Sequence, residues 1–247
     1  MKTTGKTDKG RKRSDNQDGM IFRTVGNTCG YAIVCDGMGG QNGGEIASRV
    51  ALHQLEKYYN NICGDDPTGK PLQALMKTAV EKANRSVYAE SLKHEELKGM
   101  GTTVVAALCV DRKLYVIHVG DSRAYVYHAD GSLKRLTKDH SYVQEMIDRG
   151  EITQKQARTN PYKHLITRAL GVQDGVQPDL NTFSLHPGDR VLLCSDGLYN
   201  MISLTEMKKI LAAEPDDEKV CERMVALANE NGGADNITVV IMTPEIQ

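Results

Sequence analysis

The sequence lacks an excess of either charge. Its 31 basic and 32 acidic residues leave a net charge of −1, which excludes the electrostatic footprint of a nucleic-acid or anionic-membrane binder. It has no apolar stretch of about 18 residues, the length a membrane-crossing helix needs. The basic opening, residues 1–13, has no apolar segment behind it, so it reads as neither a secretion signal nor an anchor. Cysteine is present without pattern. Cys29, Cys35, Cys63, Cys109, Cys194 and Cys221 contain no CxxC pair, and several sit inside apolar runs, as small core residues of a chain kept in a reducing compartment do. Internal repeats and low-complexity tracts are missing too. The 247 residues are read as one cytoplasmic domain able to bury a sizeable core.

What is present is a recurring stretch in which an apolar run ends on an aspartate. Tyr31 to Cys35 delivers Asp36-Gly37, Leu114 to Val119 delivers Asp121, and Arg190 to Ser195 delivers Asp196-Gly197. Asp235 lies just before a further apolar run from Ile237. A buried strand that stops at a carboxylate, followed by turn residues, points that carboxylate at something shared.

The remaining periodicity places the elements. Met20 to Val25 and Tyr31 to Cys35 are strands joined by a turn at 26–30 too short for anything but an antiparallel pair. Helical spacing runs from Gly44 to Tyr59 and, after a break at 60–70, from Pro71 to Leu92. Residues 102–110, 114–119, 123–127 and 132–136 form a meander with tight turns, again antiparallel. Residues 141–170 are polar and weakly helical, an insertion packed on the core. Strands near 180–185 and 190–195 follow, then a helix from Thr205 with Ser203 and Glu206 as a capping box. A helix over 216–231 stopped by Gly232 and a strand over 236–242 close the chain. Long antiparallel runs with grouped helices predict an α+β layered fold. Gly64 to Lys70 imitates a phosphate-binding loop, but Pro71 replaces the required hydroxyl and Asp65 and Asp66 would repel a phosphate, so it reads as a loop between helices.

Carboxylates gathered at strand ends repel one another and need positive charge between them. With oxygen ligands and no cysteine pair, a hard divalent ion, Mg²⁺ or Mn²⁺, fits better than Zn²⁺. Two such ions can acidify a shared water and aim it at phosphorus. Arg13, five residues before Asp18, offers a guanidinium fork for phosphate oxygens. His118 and His128 lie in strand patterns and read as packed or surface residues, and His140 is given no catalytic role.

These residues resemble the type 2C, metal-dependent (PPM) serine/threonine protein phosphatases, in particular the bacterial single-domain type. The resemblance rests on Arg13 to Asp18, Cys35 to Gly40, Gly101 to Thr103, Val119 to Arg123, Ser195 to Leu198 and Asp235 to Thr238, in the family's order and spread over nearly the whole chain. It implies a four-layer α-β-β-α sandwich, two stacked antiparallel sheets flanked by helices, with residues 141–170 as a flap. It further implies that Asp36 bridges two metals, with the Gly37 carbonyl on one and Asp196 and Asp235 on the other. Asp121 with Asp196 would make a third, weaker site. Asp18 and Asn236 would hold metal-bound waters without touching the metals, and Arg13 would bind the substrate phosphate. Met38 stands where some relatives carry His, and a thioether donates no proton. The partners implied are phosphorylated proteins and a cognate serine/threonine kinase, with the chain a monomer. Two other readings stay open from sequence: an inactive relative that only binds phosphoproteins, and a hydrolase of small phosphoesters.

Overall fold

The structure is a computed structural model that describes residues 1–26, 29–64 and 67–244; for residues 41 and 42 it describes the backbone alone. In chain order the elements are β1 (Lys2–Asp8), β2 (Asp18–Val25), β3 (Cys29–Met38), α1 (Gly40–Gly64), α2 (Leu72–Ser91), β4 (Gly101–Thr102), β5 (Val104–Val110), β6 (Lys113–Val119), β7 (Arg123–Tyr127) and β8 (Leu133–Arg135). Then come α3 (Tyr142–Asp148), α4 (Gln154–Ala157), β9 (Asp179–Ser184), β10 (Arg190–Cys194), α5 (Asp196–Tyr199), α6 (Leu204–Ala213), α7 (Asp217–Glu230) and β11 (Ile237–Thr243). One sheet runs β1-β11-β10-β7-β8 and the other β2-β3-β5-β6-β9, with β4 added to β3; all pairings are antiparallel.

The strand residues explain the four layers. Side chains alternate across a strand. On β3, Tyr31, Ile33 and Cys35 face α1 and α2, while Ala32 and Val34 face the other sheet. On β5, Val104, Ala106 and Leu108 take the helix side and Val105, Ala107 and Cys109 the inter-sheet side. The second sheet repeats this with Val191 and Leu193 of β10 between the sheets, and Leu192 and Cys194 toward α5, α6 and α7. Both faces of the central strands are therefore buried, which is why they read as continuous apolar runs although the sheets are antiparallel. The inter-sheet layer is filled mostly by small and β-branched side chains, with Phe22 and Phe183 packed at its margin.

Four readings from sequence change. The basic opening is not a loose lead-in to a first strand at Met20: β1 precedes it and pairs along its whole length with β11, Lys2 against Thr243 and Asp8 against Ile237. The run expected over 102–110 is broken at Thr103 into β4 and β5. The first helix begins at Gly40, four residues early, because its opening turn lies against the end of β3, where a Cβ on Gly44 would come 2.7 Å from the Gly37 carbonyl carbon. It also runs past Tyr59 to Gly64; residues 65 and 66 of the false phosphate loop, and 27 and 28 of the first turn, lie outside the described residues. The capping box at Ser203 and Glu206 is present.

Arg190 opens β10 nearly buried. Its Nε donates to Asp217 Oδ1 at 2.7 Å and its Nη1 to the carbonyls of Leu211 and Glu214 at the end of α6. Asp217 Oδ2 accepts from Thr243 Oγ1 at 2.7 Å, so one ion pair ties β10, β11, α6 and α7. Asp217→Ala leaves the arginine without its anion and is expected to cost about 3–5 kcal/mol. A urea midpoint that falls at unchanged slope would report this, and an unmoved midpoint would rule it out.

Candidate metal centre

Asp36 is fixed through its backbone before its carboxylate does anything. Its N–H donates to Thr103 Oγ1 at 3.1 Å, and its carbonyl accepts from the Thr103 N–H at 2.8 Å and from Thr102 Oγ1 at 2.9 Å. Thr103 Oγ1 lies 2.7 Å from Ser122 Oγ, so the Gly101 to Thr103 segment and the Gly120 to Ser122 turn interlock. Gly120 is required there: its φ is +104°, and a Cβ would run into the Thr103 side chain. This lock sets Asp121, one residue on, beside Asp36.

The other sheet supplies the opposite wall. Strand β10 gives way at Ser195 to α5, whose first residue is Asp196. The Ser195 N–H donates to the Thr238 carbonyl at 3.1 Å, and Ser195 Oγ accepts from the Thr238 N–H at 3.0 Å. Gly197 packs against the Asn236 carbonyl, which leaves no room for a side chain. Asp18 bridges the two walls. In β2 it stands opposite Asp36, and its Oδ2 accepts 2.7 Å hydrogen bonds from Ser195 Oγ and Thr238 Oγ1, which belong to the other sheet. Behind Thr238 the chain of bonds continues to Thr7 Oγ1 at 2.8 Å and from there to the Asn16 amide at 2.9 Å.

The carboxylates crowd. Burial pushes the Asp36 carboxyl well above its usual range, and Asp18, Asp196, Asp121 and Asp235 push it further. Asp196 is raised for the same reasons, burial first and then Asp121, Asp235 and Asp18. Asp18 is held up to about 6 by burial, against the pull of Ser195 and Thr238, and Asp121 to about 6 by burial and Asp139. Tyr199 Oη, 3.1 Å from both the Asp121 carbonyl and its Oδ2, works the other way, and its ring carries the Arg123 guanidinium 3.4 Å from the centroid. At the open rim, Arg13 Nη2 donates to Asp235 Oδ2 at 2.8 Å.

An oxygen-rich cluster of this kind suits a hard divalent cation. One atom sharpens the fit: Asp18 Oδ1 is buried, accepts no hydrogen bond from a hydroxyl, amide or guanidinium among the described residues, and faces the Asp36 carboxyl. An acceptor stranded beside Asp36 is what a cation or its hydration would satisfy.

The site residues expected from sequence fall as follows. Asp18, Asp36, Asp121 and Asp196 all carry raised carboxyls, Asp235 is near enough to act on Asp36 and Asp196, and Arg13 lies against Asp235. Gly37 sits at the strand end, its N–H on the Gln17 carbonyl at 3.2 Å. The Asn236 amide is turned to the N-terminal loop: Oδ1 accepts from the Gln17 N–H at 2.8 Å, and Nδ2 donates to the carbonyls of Lys9 and Asp15. Thr7 and Tyr199 also belong to the site, Thr7 through Thr238 and Tyr199 through Asp121, and the sequence gives no sign of either, since each hydroxyl meets its partner only through the fold.

Among the described residues, one group of three histidine and carboxylate side chains brings ligand atoms within 4.8 Å of one another, and it is a different group: His118, His140 and Asp179. His118 stacks on His140 with centroids 4.7 Å apart. The Gly120 N–H donates to His140 Nδ1, so the ring proton is on Nε2, facing Asp179 Oδ2 at 3.3 Å. Arg168 already provides the cation, 3.1 Å from Asp179 Oδ1. These side chains knit the base of residues 141–170 to β6 and β9. A cavity of about 530 Å³ opens next to Met38, with Ile166, Arg168, Val172 and Val176 on its walls.

The family model described as protein phosphatase 2C matches residues 7–238. The serine/threonine phosphatase stp of Listeria monocytogenes is 36% identical over 244 residues, 98% of this chain and 95% of the relative. Among solved structures, the Mycobacterium tuberculosis serine/threonine phosphatase PstP/Ppp superposes with a TM-score of 0.87 at 35% identity, over 97% of both chains. The catalytic domain of PstP in complex with two manganese ions superposes with a TM-score of 0.84 at 34% identity, over 97% of this chain and 96% of that one.

The raised carboxyls set a pH dependence. A carboxyl lifted from 3.8 to about 6 holds its proton more tightly in the folded chain, so stability falls as pH rises from about 4 to 6 and stays lower above. In chelator, the melting temperature is expected to rise as pH is lowered from about 7 to 5; with saturating Mn²⁺ the order reverses, because protons compete with the cation. Asp18→Asn should flatten the chelator curve. A chelator curve that climbs with pH would mean the carboxylates do not crowd one another.

Proposed function

The chain belongs to the protein phosphatase 2C family, and from that membership together with its aspartate cluster we infer that it hydrolyses phosphoserine and phosphothreonine in proteins with Mn²⁺ or Mg²⁺. The observation that carries this reading is the convergence of Asp18, Asp121, Asp196 and Asp235 on Asp36, beside the buried Asp18 oxygen that no hydroxyl or amide satisfies.

Each side chain has a task in this reading. Asp36, the Gly37 carbonyl, Asp196 and Asp235 would hold two cations, and Asp121 with Asp196 would offer a third position. When bound, the ions supply the charge that offsets these carboxylates and an acidified water to attack phosphorus. Asp18 is kept ionised and oriented by Ser195 and Thr238. Asn236 shapes the site indirectly, by holding the loop that carries Arg13. Arg13 turns from Asp235 to the phosphate of the substrate, exchanging one carboxylate oxygen for the fork of a phosphoryl group. Met38 lines the approach as an apolar wall and provides no acid.

We read residues 141–170 as a flap on a single phosphatase domain. The cavity beside Met38 then takes side chains next to the phosphorylated residue, with Arg168 at its edge. A cognate serine/threonine kinase is the proposed counterpart, and the chain is proposed to work as a cytoplasmic monomer, a setting in keeping with six free thiols. Among the described residues no helix is long and apolar enough to cross a membrane.

Phosphate release from a phosphothreonine peptide, with Mn²⁺, Mg²⁺ or chelator, tests the activity. Release only with metal is expected, and no release from folded protein under any condition would defeat the reading. Asp36→Asn is expected to lower turnover by about 1000-fold or more with the fold intact, since it removes a carboxylate that would hold the cations and also one repelling charge. Near-normal turnover would remove Asp36 from the metal set. Arg13→Ala should raise KM for a phosphoprotein roughly tenfold with a smaller change in kcat, because the grip is made in ground and transition states alike and is partly exposed. An unchanged KM would detach Arg13 from the phosphate.

A further inference from the structure

Two of the six cysteines, 34 residues apart in sequence, meet in the fold. Cys29 opens β3 and Cys63 is the next-to-last residue of α1, and their sulfurs are 2.9 Å apart. The elements that bring them together are clamped at the same corner. The Tyr31 and Tyr59 rings pack at 5.3 Å, the Tyr31 hydroxyl donates to Asn60 Oδ1 at 2.7 Å, and Arg23 Nη1 reaches the same oxygen at 2.9 Å. The thiols are therefore held by a strand and a helix. A disulfide bond of about 2.05 Å lies less than 1 Å of sulfur movement away. Asp36 stands seven residues along β3 from this pair, toward its opposite end.

We propose that Cys29 and Cys63 are an oxidisable dithiol, closed to a disulfide by a peroxide in the folded protein and reopened by a reducing dithiol. The Cys29 thiolate attacks one peroxide oxygen and the O–O bond breaks, giving a sulfenic acid and hydroxide, which is protonated to water. The Cys63 sulfur then attacks the Cys29 sulfur, the S–S bond forms, and the sulfenic oxygen departs as a second water. Two thiols lose two electrons and two protons, and hydrogen peroxide is reduced to two waters.

The surroundings favour Cys29 as the first nucleophile. Contact with Cys63 draws its thiol below the usual value, with Lys70 adding to the effect, whereas burial pushes Cys35, Cys109, Cys194 and Cys221 up. Those four have no second sulfur in contact among the described residues. The pair also lies just beneath the surface: Gly64 beside Cys63 is exposed, and exposed Asp111 is close enough to act on Cys29.

Closure would enclose the stretch from Cys29 to Cys63, which contains Asp36, Gly37 and the first turn of α1. A cross-link over such a loop removes entropy from the unfolded chain, so the oxidised protein should melt higher by about 5–10 °C. In the test, the full chain is reduced, desalted into chelator and treated while folded with hydrogen peroxide. The maleimide-reactive thiols after denaturation should fall from six to four, digestion should yield a peptide joining Cys29 to Cys63, and dithiothreitol should restore all six. Cys63→Ser should give no cross-link and leave Cys29 as a sulfenic acid that dimedone captures. The proposal is overturned if the folded wild-type chain forms no cross-link, if the link joins other cysteines, or if it appears only after unfolding.

Discussion

The structure turns on the repulsion among carboxylates gathered where the two sheets meet. Asp18 and Asp36 come from neighbouring strands of one sheet, Asp196 and Asp235 from the ends of β10 and β11 in the other, and Asp121 from the turn between β6 and β7, which lie in different sheets. Left to themselves these groups would part. Hydroxyls and backbone prevent it: Ser195 and Thr238 hold Asp18 from across the sandwich, while Thr102 and Thr103 hold the backbone of Asp36. The scaffold keeps the negative charges together before any cation is bound, so that binding recovers the electrostatic strain. Arg13 against Asp235 relieves part of it from the half-exposed rim.

The same constraint explains what the sequence made legible. An aspartate that ends a fully buried strand leaves a local mark, a hydrophobic run cut off by Asp-Gly or Gly-Asp, and three of the carboxylates carry it. The alternation of faces on β3 and β5 is invisible in the run itself because both faces are buried, so the strands were readable and the layer each residue joins was not. Strand β1 carries no such mark because an edge strand with no fully buried residue shows no apolar pattern; it is made of lysine, threonine, glycine and a final aspartate, and its order comes from pairing with β11.

What sequence could not supply were partners brought together by topology alone. Thr7 meets Thr238 across 231 residues, Tyr199 meets Asp121 across 78, and Cys63 meets Cys29 across 34. A threonine or tyrosine carries no local sign that its hydroxyl will back a carboxylate. Asn236 is the instructive intermediate: its place beside Asp235 marked it, but the structure turns its amide to the carbonyls of Lys9 and Asp15, so its influence on the site passes through the loop that presents Arg13.

The attachment of residues 141–170 follows from the same hydrogen bonds. At one end, the His140 N–H donates to the Gly120 carbonyl, and the Gly120 N–H returns to His140 Nδ1, next to Asp121. At the other, Leu170 exchanges backbone hydrogen bonds with Thr102, whose hydroxyl holds the carbonyl of Asp36. Both roots are thus bonded to residues that fix carboxylates, and the Ser141 to Ile166 bridge joins the two roots to each other. Between them the segment exposes Tyr162 and Leu165 and carries two short helices whose caps are local. The roots are bonded through the backbone of His140 and Leu170, and Arg168 joins them through its side chain, on Asp179 and beside His140. The segment thus hangs from one root bonded to Thr102, which holds the Asp36 carbonyl, and another bonded to Gly120, the residue before Asp121.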